Sequence, residues 1–385
     1  MKWLFVVLTA IGLLGCSSTP TSSTADKPSM TVASLFNHAL FTPQPVVSEQ
    51  AIFSLPQSEV QALWQYVEKH KNSDITIDEL LGNFLQNKIG DFSYDGATFI
   101  AKDALSQRSG NCISLAIVSQ AYANVLGIKT SYAKVDSYPV YQKNKSFVLT
   151  SSHFKTKLIT PREQENDSMI FFSSGTIIDY FPNQDSVFSG NANYADLVAK
   201  FYTNLAVSAL LAADYDKAYS LLMAALEYAP NDPETINISA LLHKHVGDRV
   251  RAKQIYAYAA QQQLTSTNLL LNYLNYIPAD QTALRESILA QLERSPASPF
   301  DTLTLASSYI DKQNYSKAKK LIEPLLLNYH YLPEIHAELG KIAYLEGNLQ
   351  AALVYFDQAI NKSRETYKKT LYSAKQNMLT QLMMQ

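Results

Sequence analysis

Cysteine is nearly absent. The 385 residues hold only Cys16 and Cys112, so no disulfide framework can organise the chain. Glycine is scarce as well, at 12, and no Gly-rich phosphate loop, dinucleotide fingerprint or zinc-ligand spacing occurs. No cofactor and no metal are expected on that account. Charge is balanced, with 32 Lys and Arg against 34 Asp and Glu, and no basic block stands out. That argues against a nucleic-acid partner and against electrostatic attachment to anionic lipid. What the chain does have is apolar residue, 47% of it, and 24 tyrosines, which suit packing between helices.

The first residues read as an address. Met1-Lys2 is a short basic start, and Trp3 to Leu14 is apolar apart from Thr9 and two small residues. That run is too short to span a bilayer permanently and fits a secretory signal. Leu13-Leu14-Gly15-Cys16 resembles a bacterial lipobox. The resemblance implies cleavage before Cys16 and lipid on that residue, hence membrane attachment. Ser rather than Asp at position 17 implies the outer membrane of a Gram-negative bacterium, with the protein facing the periplasm. The plan expected for the chain is a signal over 1–16, a Ser/Thr/Pro-rich tether over 17–45, an α+β domain over 46–192 and a repeat domain over 193–385. With lipid on Cys16, Cys112 is the single thiol of the mature chain. In an oxidising compartment such a thiol is a liability unless it is buried or used.

Ser109-Gly110-Asn111-Cys112 is a tight turn that delivers Cys112 to an apolar run ending at Leu126 and Gly127. The pattern predicts a buried helix with Cys112 in its first turn, where backbone N–H groups and the helix dipole favour thiolate. Such a position can lower a cysteine pKa from about 8.5 into the range of roughly 3.5–7.5. Before it, Ser54-Leu55-Pro56 and Thr76-Ile77-Asp78-Glu79 open two amphipathic helices, with stripes Val60, Leu63, Trp64, Val67 and Leu80, Leu81, Phe84, Leu85. Thr98 to about Gln107 is a third short helix. After Gly127 the period changes to two, and strands are expected at Ile128–Tyr138, Ser146–Ile159, Met169–Phe172 and Thr176–Phe181. His153 and Asp179 fall on the second and last of these. A thiol nucleophile needs a base, and the base needs an acceptor on its other nitrogen, which this trio can supply in the order Cys, His, Asp.

Residues of about 90–185 resemble the transglutaminase-like branch of the papain-like thiol enzymes. The resemblance lies in Phe92-Ser93-Tyr94-Asp95, Thr98 through Leu105, Arg108-Ser109-Gly110-Asn111-Cys112, Ala121 to Gly127, His153 and Ile177-Ile178-Asp179-Tyr180. It implies that Cys112 is the nucleophile, His153 its base and acid, and Asp179 the orienter, acting on a protein or peptide substrate. The chain departs from the family at Phe154-Lys155-Thr156-Lys157, where a valine-rich strand is usual. Tyr94 and Gln107 are the side-chain candidates for the oxyanion site, beside the backbone N–H of Cys112.

From about Asn193 the sequence is helical and repetitive, and it resembles the 34-residue tetratricopeptide unit, with small residues at its eighth, twentieth and twenty-seventh positions. A unit from Ala199 supplies Ala206, Ala218, Ala225 and Pro230; the next, from Pro233, supplies Ala240, Ala252 and Ala259. Units from Pro299 and Pro333 supply Ala306 and Ala318, then Gly340, Ala352 and Ala359. Thr265 to Ser298 lacks these residues, and Pro278 breaks it. A closing helix is expected from about Arg364. His243 and His245 face different ways on one helix, and Lys319-Lys320 and Lys368-Lys369 read as solvated faces. The expectation is a lipid-anchored protein with a transglutaminase-like α+β domain, followed by an all-α solenoid that recruits an envelope protein. It would be a peptidase, amidase or transamidase or, in the alternative, a catalytically silent adaptor.

Overall fold

The computed structural model describes residues 31–136, 152–161, 174–180, 187–294 and 298–384. The signal, the lipobox with Cys16 and the strand expected at Met169–Phe172 lie outside the described residues. The described part of the expected tether is packed against the protein rather than extended. Two short 3-10 turns, Ala33–Leu35 and His38–Leu40, form there, and Val32, Phe36 and Phe41 are buried. Apolar residues this sparse form no helical or strand period, so their destination could not be read in advance.

Helices α1 (Glu49–Ile52), α2 (Gln57–His70) and α3 (Ile77–Ile89) follow. The Glu79 carboxylate accepts the Thr76 N–H at 3.3 Å, one half of the capping box that the spacing predicts. On α2 the expected stripe is narrower than drawn: Leu63 is buried and Trp64 is half exposed. Strand β1 (Ser93–Tyr94), helix α4 (Ala101–Gln107) and strand β2 (Ser109–Gly110) lead to α5 (Cys112–Leu126). β1 and β2 pair in parallel and hold the turn before Cys112 in place. A side chain at Gly110 would lie 2.6 Å from the Ser114 Cβ, so only glycine fits there. Gly127, at φ 67°, ends α5 in the left-handed conformation expected of it.

Helix α5 is buried along its first twelve residues and lies between α3 and an antiparallel sheet of four short strands. These are β3 (Thr130–Asp136), β4 (Ser152–Ile159), β5 (Gly175–Ile178) and β6 (Val187–Ala192), in the order β5-β4-β3-β6. The sequence pattern missed β6, whose Ser, Gly and Asn residues are weak strand formers held by pairing with β3. The last expected strand ends two residues before Tyr180, so Asp179 lies just past β5.

Asn193 caps the first of the long helices, and from there the chain is helical hairpins. These are α6 (Tyr194–Leu211) with α7 (Tyr215–Tyr228), α8 (Pro233–His245) with α9 (Arg249–Gln261), and α10 (Thr267–Tyr276) with α11 (Thr282–Arg294). Next come α12 (Pro299–Asp311) with α13 (Tyr315–Ile322) and the short α14 (Leu326–Tyr329), then α15 (Pro333–Leu345) with α16 (Leu349–Lys362) and the closing α17 (Thr366–Met383). The first helices of successive hairpins also touch one another, which makes the array a solenoid. Ala206, Ala218, Ala225, Ala240, Ala252, Ala259, Ala306, Ala318, Ala352 and Ala359 are all fully buried, as close helix approach requires. The stretch without signature residues forms a hairpin nonetheless. Leu274 occupies its eighth position and is buried, so a larger side chain fills the slot there.

The two parts share one apolar core running from Val32 through Cys112 to Ile342. Glu49 on α1 accepts hydrogen bonds from the hydroxyls of Tyr194 (2.6 Å) and Tyr228 (2.5 Å), and both bonds lower its pKa. Tyr202 donates to the Val47 carbonyl at 2.7 Å.

Candidate functional site

Asn111 sets the start of α5. Its side-chain oxygen accepts the Ser114 N–H at 3.0 Å, and its amide donates to the Thr98 hydroxyl at 2.7 Å. The Ser114 hydroxyl in turn accepts the Phe99 N–H at 2.8 Å. Thr98 also receives the side-chain amide of Asn204 on α6 at 3.2 Å, which ties the turn to the solenoid. Cys112 is therefore held at the N-terminus of a buried helix, as expected, and is itself buried.

The electrostatic outcome differs from the expectation. Burial pushes the Cys112 thiol up from its ordinary value of 9.0. The backbone N–H of Phe154, the Lys200 ammonium and the N–H groups of Ile113 and Cys112 act against that rise without reversing it. Desolvation of a sulfur anion inside this core outweighs the favourable end of the helix. Tyr94 senses the charge of Cys112, and its own pKa is raised mainly by burial. Gln107, the other oxyanion candidate, is exposed in the last turn of α4.

His153 lies on β4, next to Phe154, and Asp179 just past the end of β5. Pairing between β3 and β4 runs without a break from Ser152 to Leu158, so side chains alternate strictly along β4. Phe154, Thr156 and Leu158 are buried toward α5. The Tyr180 hydroxyl marks that face, lying 2.5 Å from Thr156 Oγ1 and 2.9 Å from Ser119 Oγ on α5. Alternation turns His153, Lys155 and Lys157 to the face that α5 does not cover. There Lys155 Nζ lies 2.7 Å from Asp179 Oδ2. Burial lowers the His153 pKa, while the charges of Asp136 and Asp179 pull it back up. Alternation thus places His153 on the same face of β4 as Lys155, which pairs with Asp179, while Cys112 meets the Phe154 backbone N–H next to His153. On the outer face, Ser131, Lys155, Lys157, Ile177 and Asn191 line a shallow depression of about 170 Å³. Among the described residues no group of His, Cys, Asp and Glu side chains is arranged to hold a metal ion.

A histidine with no motif around it in the sequence has a clearer place. His243 on α8 is fully buried beneath the N-terminal segment. Its Nδ1–H donates to the Ser239 carbonyl at 2.8 Å, and its Nε2 accepts the Asn37 N–H at 3.2 Å. Both bonds require the neutral ring, a tautomer fixed by these partners. Phe36 meets the ring edge-on at 4.7 Å between centroids, and Phe41 stacks on Tyr219 at 4.8 Å. Burial lowers the His243 pKa. The only hint in the sequence was a histidine at an i+3 step from the buried Ala240.

Fold and site together define a mostly helical, tetratricopeptide-like array of hairpins whose N-terminal part carries a small antiparallel sheet packed on a buried helix. Neither a family model nor a curated protein matches the sequence. Among solved structures the chain is similar to PilF of Pseudomonas aeruginosa, at 17% identity over 49% of this chain and 86% of that one, with a TM-score of 0.33. It is similar to a thermophilic repeat protein of Thermus thermophilus at 19% identity, covering 46% of this chain and 97% of that one, with a TM-score of 0.33. Yeast Tom70 aligns over 92% of this chain and 70% of its own at 9% identity and a TM-score of 0.44. The repeat assignment rests on the 34-residue register and the hairpin packing described above. Among the described residues no helix is long and apolar enough to cross a membrane.

Proposed function

We propose that this chain is an envelope adaptor, a solenoid that holds a protein partner and is tethered through lipid on Cys16. The observation that carries the adaptor reading is the stack of helical hairpins with its small-residue slots filled and buried. Such arrays present extended concave surfaces suited to holding a partner. The tether is supported by Leu13-Leu14-Gly15-Cys16. The same residues support a place at the outer membrane, facing the periplasm. The transglutaminase-like architecture is supported by α5, which carries Cys112 in its first turn and packs on the sheet. Against its catalytic use stand the Cys112 thiol, which burial raises rather than lowers, and the alternation along β4, which gives the inward phase to Phe154.

Photo-cross-linking from α6, α8, α10, α12 and α15 in living cells tests the reading. One discrete protein should be captured, equally by the parent chain and by Cys112→Ser. An acyl adduct on Cys112 found by intact-mass analysis, or a partner lost in Cys112→Ser, would return the acyl-transfer reading. For the tether, Cys16→Ser should leave the chain unprocessed or misplaced, and normal processing of that variant would remove the anchor.

A further inference from the structure

The second helices of the hairpins differ in how their cations are answered. Helix α13 carries Lys317, Lys319 and Lys320, and two of these meet carboxylates from neighbouring hairpins, Lys317 at Glu293 (2.6 Å) and Lys319 at Glu346. Helix α9 carries Arg249, Arg251 and Lys253 and has no Asp or Glu along its length. Among the described residues no carboxylate stands within ion-pair distance of these three. Arg249 and Lys253 are exposed one turn apart, and Val250 beside them is 68% exposed. Arg251 lies on the other flank of Val250 and donates to the exposed Gln254 side chain at 3.0 Å.

Lys244 at the end of α8 adds to the crowding: burial, and then the positive charge of Arg249, lower its pKa. Like charges brought together oppose one another, and an anionic surface laid over them removes that cost. The one carboxylate in this stretch is committed elsewhere. Asp248 accepts the Arg251 N–H at 3.0 Å, which starts α9, and the Asn37 side-chain amide at 3.0 Å, which holds the N-terminal segment. With Asp248 in its middle, Lys244 to Lys253 does not read as a basic block in the sequence. The chain also enters the protein at this helix. Ala33–Leu35 packs on α9, and Val32 beside it is buried. Fifteen residues separate Thr31 from Cys16. Their reach is at most about 50 Å, so lipid on Cys16 keeps α9 near the bilayer.

We propose that α9 and the end of α8 rest on the anionic phospholipid surface of the membrane that anchors the chain, with Val250 set among the headgroups between the cations. The proposal rests on the lipid-anchor reading and gives the anchored chain an orientation. A few cations hold a bilayer weakly by themselves, but a tether that enters beside them raises their effective concentration at the surface. An acidic protein would also suit these charges. The membrane is favoured because the anchored end of the chain arrives on the same helix.

The chain from Ser17 to Gln385, with a histidine tag before Ser17, is held by nickel-chelating lipid on vesicles of phosphatidylcholine, alone or with about 30% phosphatidylglycerol. The tether then starts where the lipid would, whether or not Cys16 is modified. An environment-sensitive dye sits on Gln254→Cys in a Cys112→Ser background. Acrylamide quenching of the dye should fall at least about threefold on the anionic vesicles relative to the neutral ones, and recover in about 0.5 M salt. Arg249→Glu combined with Lys253→Glu should abolish that protection and leave the circular-dichroism melt unchanged, since both side chains are exposed. A dye on Val354→Cys, an exposed position on α16, should be quenched alike on both vesicles. Equal quenching at Gln254→Cys on the two vesicles, matching protection at Val354→Cys, or protection that survives the double reversal overturns the proposal. So does cross-linking from position 254 in cells that captures an acidic protein while the vesicles give no protection. Normal processing of the Cys16→Ser chain removes the anchor and with it the membrane as occupant. Absence of protection where lipid on Cys16 is established removes the patch alone.

Discussion

The two halves of this molecule are held together by different means. In the solenoid each contact recurs: an alanine slot, a hairpin, a step to the next first helix. The unit around Cys112 is built from contacts that occur once, such as Asn111 on Thr98, Tyr180 on Thr156 and Glu49 under two tyrosines. Repetition makes stability additive and local, because each hairpin answers mainly to its neighbours. Singular contacts make it collective. The shared core complicates a clean division, since the Cys112 unit is seated on the first hairpins and the N-terminal segment lies across α7, α8 and α9.

The contrast is open to direct challenge. The largest effect is expected at the far end of the solenoid. Lys368→Met leaves Glu334 buried without its cation, at a cost of about 3–5 kcal/mol. Hydrogen exchange should show the loss confined to α15, α16 and α17, and a loss that spreads to α5 would contradict local stability. Next, Ile117→Ala in the fully buried middle of α5 should cost about 2–4 kcal/mol and loosen α5, the sheet and α6 together. Exchange confined to α5 would show that the singular contacts are not collective.

The pH response separates the halves in a third way. His243 has a lowered pKa in the folded chain, so the unfolded chain binds the extra proton first. Stability conferred by the neutral ring is complete above the unfolded value of about 6.5, and it declines as pH falls through that value toward the lower folded one. The groups whose charges reach the ring are Asp248, Arg251 and His38. Protease sensitivity at residues 31–45 should therefore increase between about pH 7 and pH 5, and His243→Gln should flatten the profile. The smallest effect is expected at Cys112. Iodoacetamide should modify it slowly at neutral pH in the folded chain and rapidly only after unfolding, because burial raises the thiol. Fast alkylation near neutral pH would mean that the thiol is poised for chemistry after all.

What could be read from the sequence followed the same divide. The helix starting at Cys112, its Asn111 cap and its Gly127 stop are local features, written in consecutive residues. The alanine slots were legible because they recur every 34 residues. The helices α10 and α11 were expected, with their break at Pro278, but their standing as a repeat unit was not, because Leu274 stands where an alanine would mark it. Lys368 looked solvated because the carboxylate that buries it lies a full repeat earlier. The placing of His153 shows a related limit. Residue order sets which strand His153 occupies, but the phase of a two-residue period decides its face, and one position changes everything. Phe154, not His153, took the inward phase. The buried role of His243 depended on a segment more than two hundred residues away.

The N-terminal segment has a mechanical consequence. Among the described residues, Val32, Phe36, Asn37 and Phe41 fix the N-terminal segment on the solenoid ahead of α1 and the whole Cys112 unit. Tension applied from the N-terminal side is carried across that short splice into α7 and α8, and the sheet and α5 lie off the load path. The splice spreads this load over stacked rings and the hydrogen bonds to His243, Asp216 and Ser220. A pulled chain would keep its Cys112 unit intact until the splice gives way.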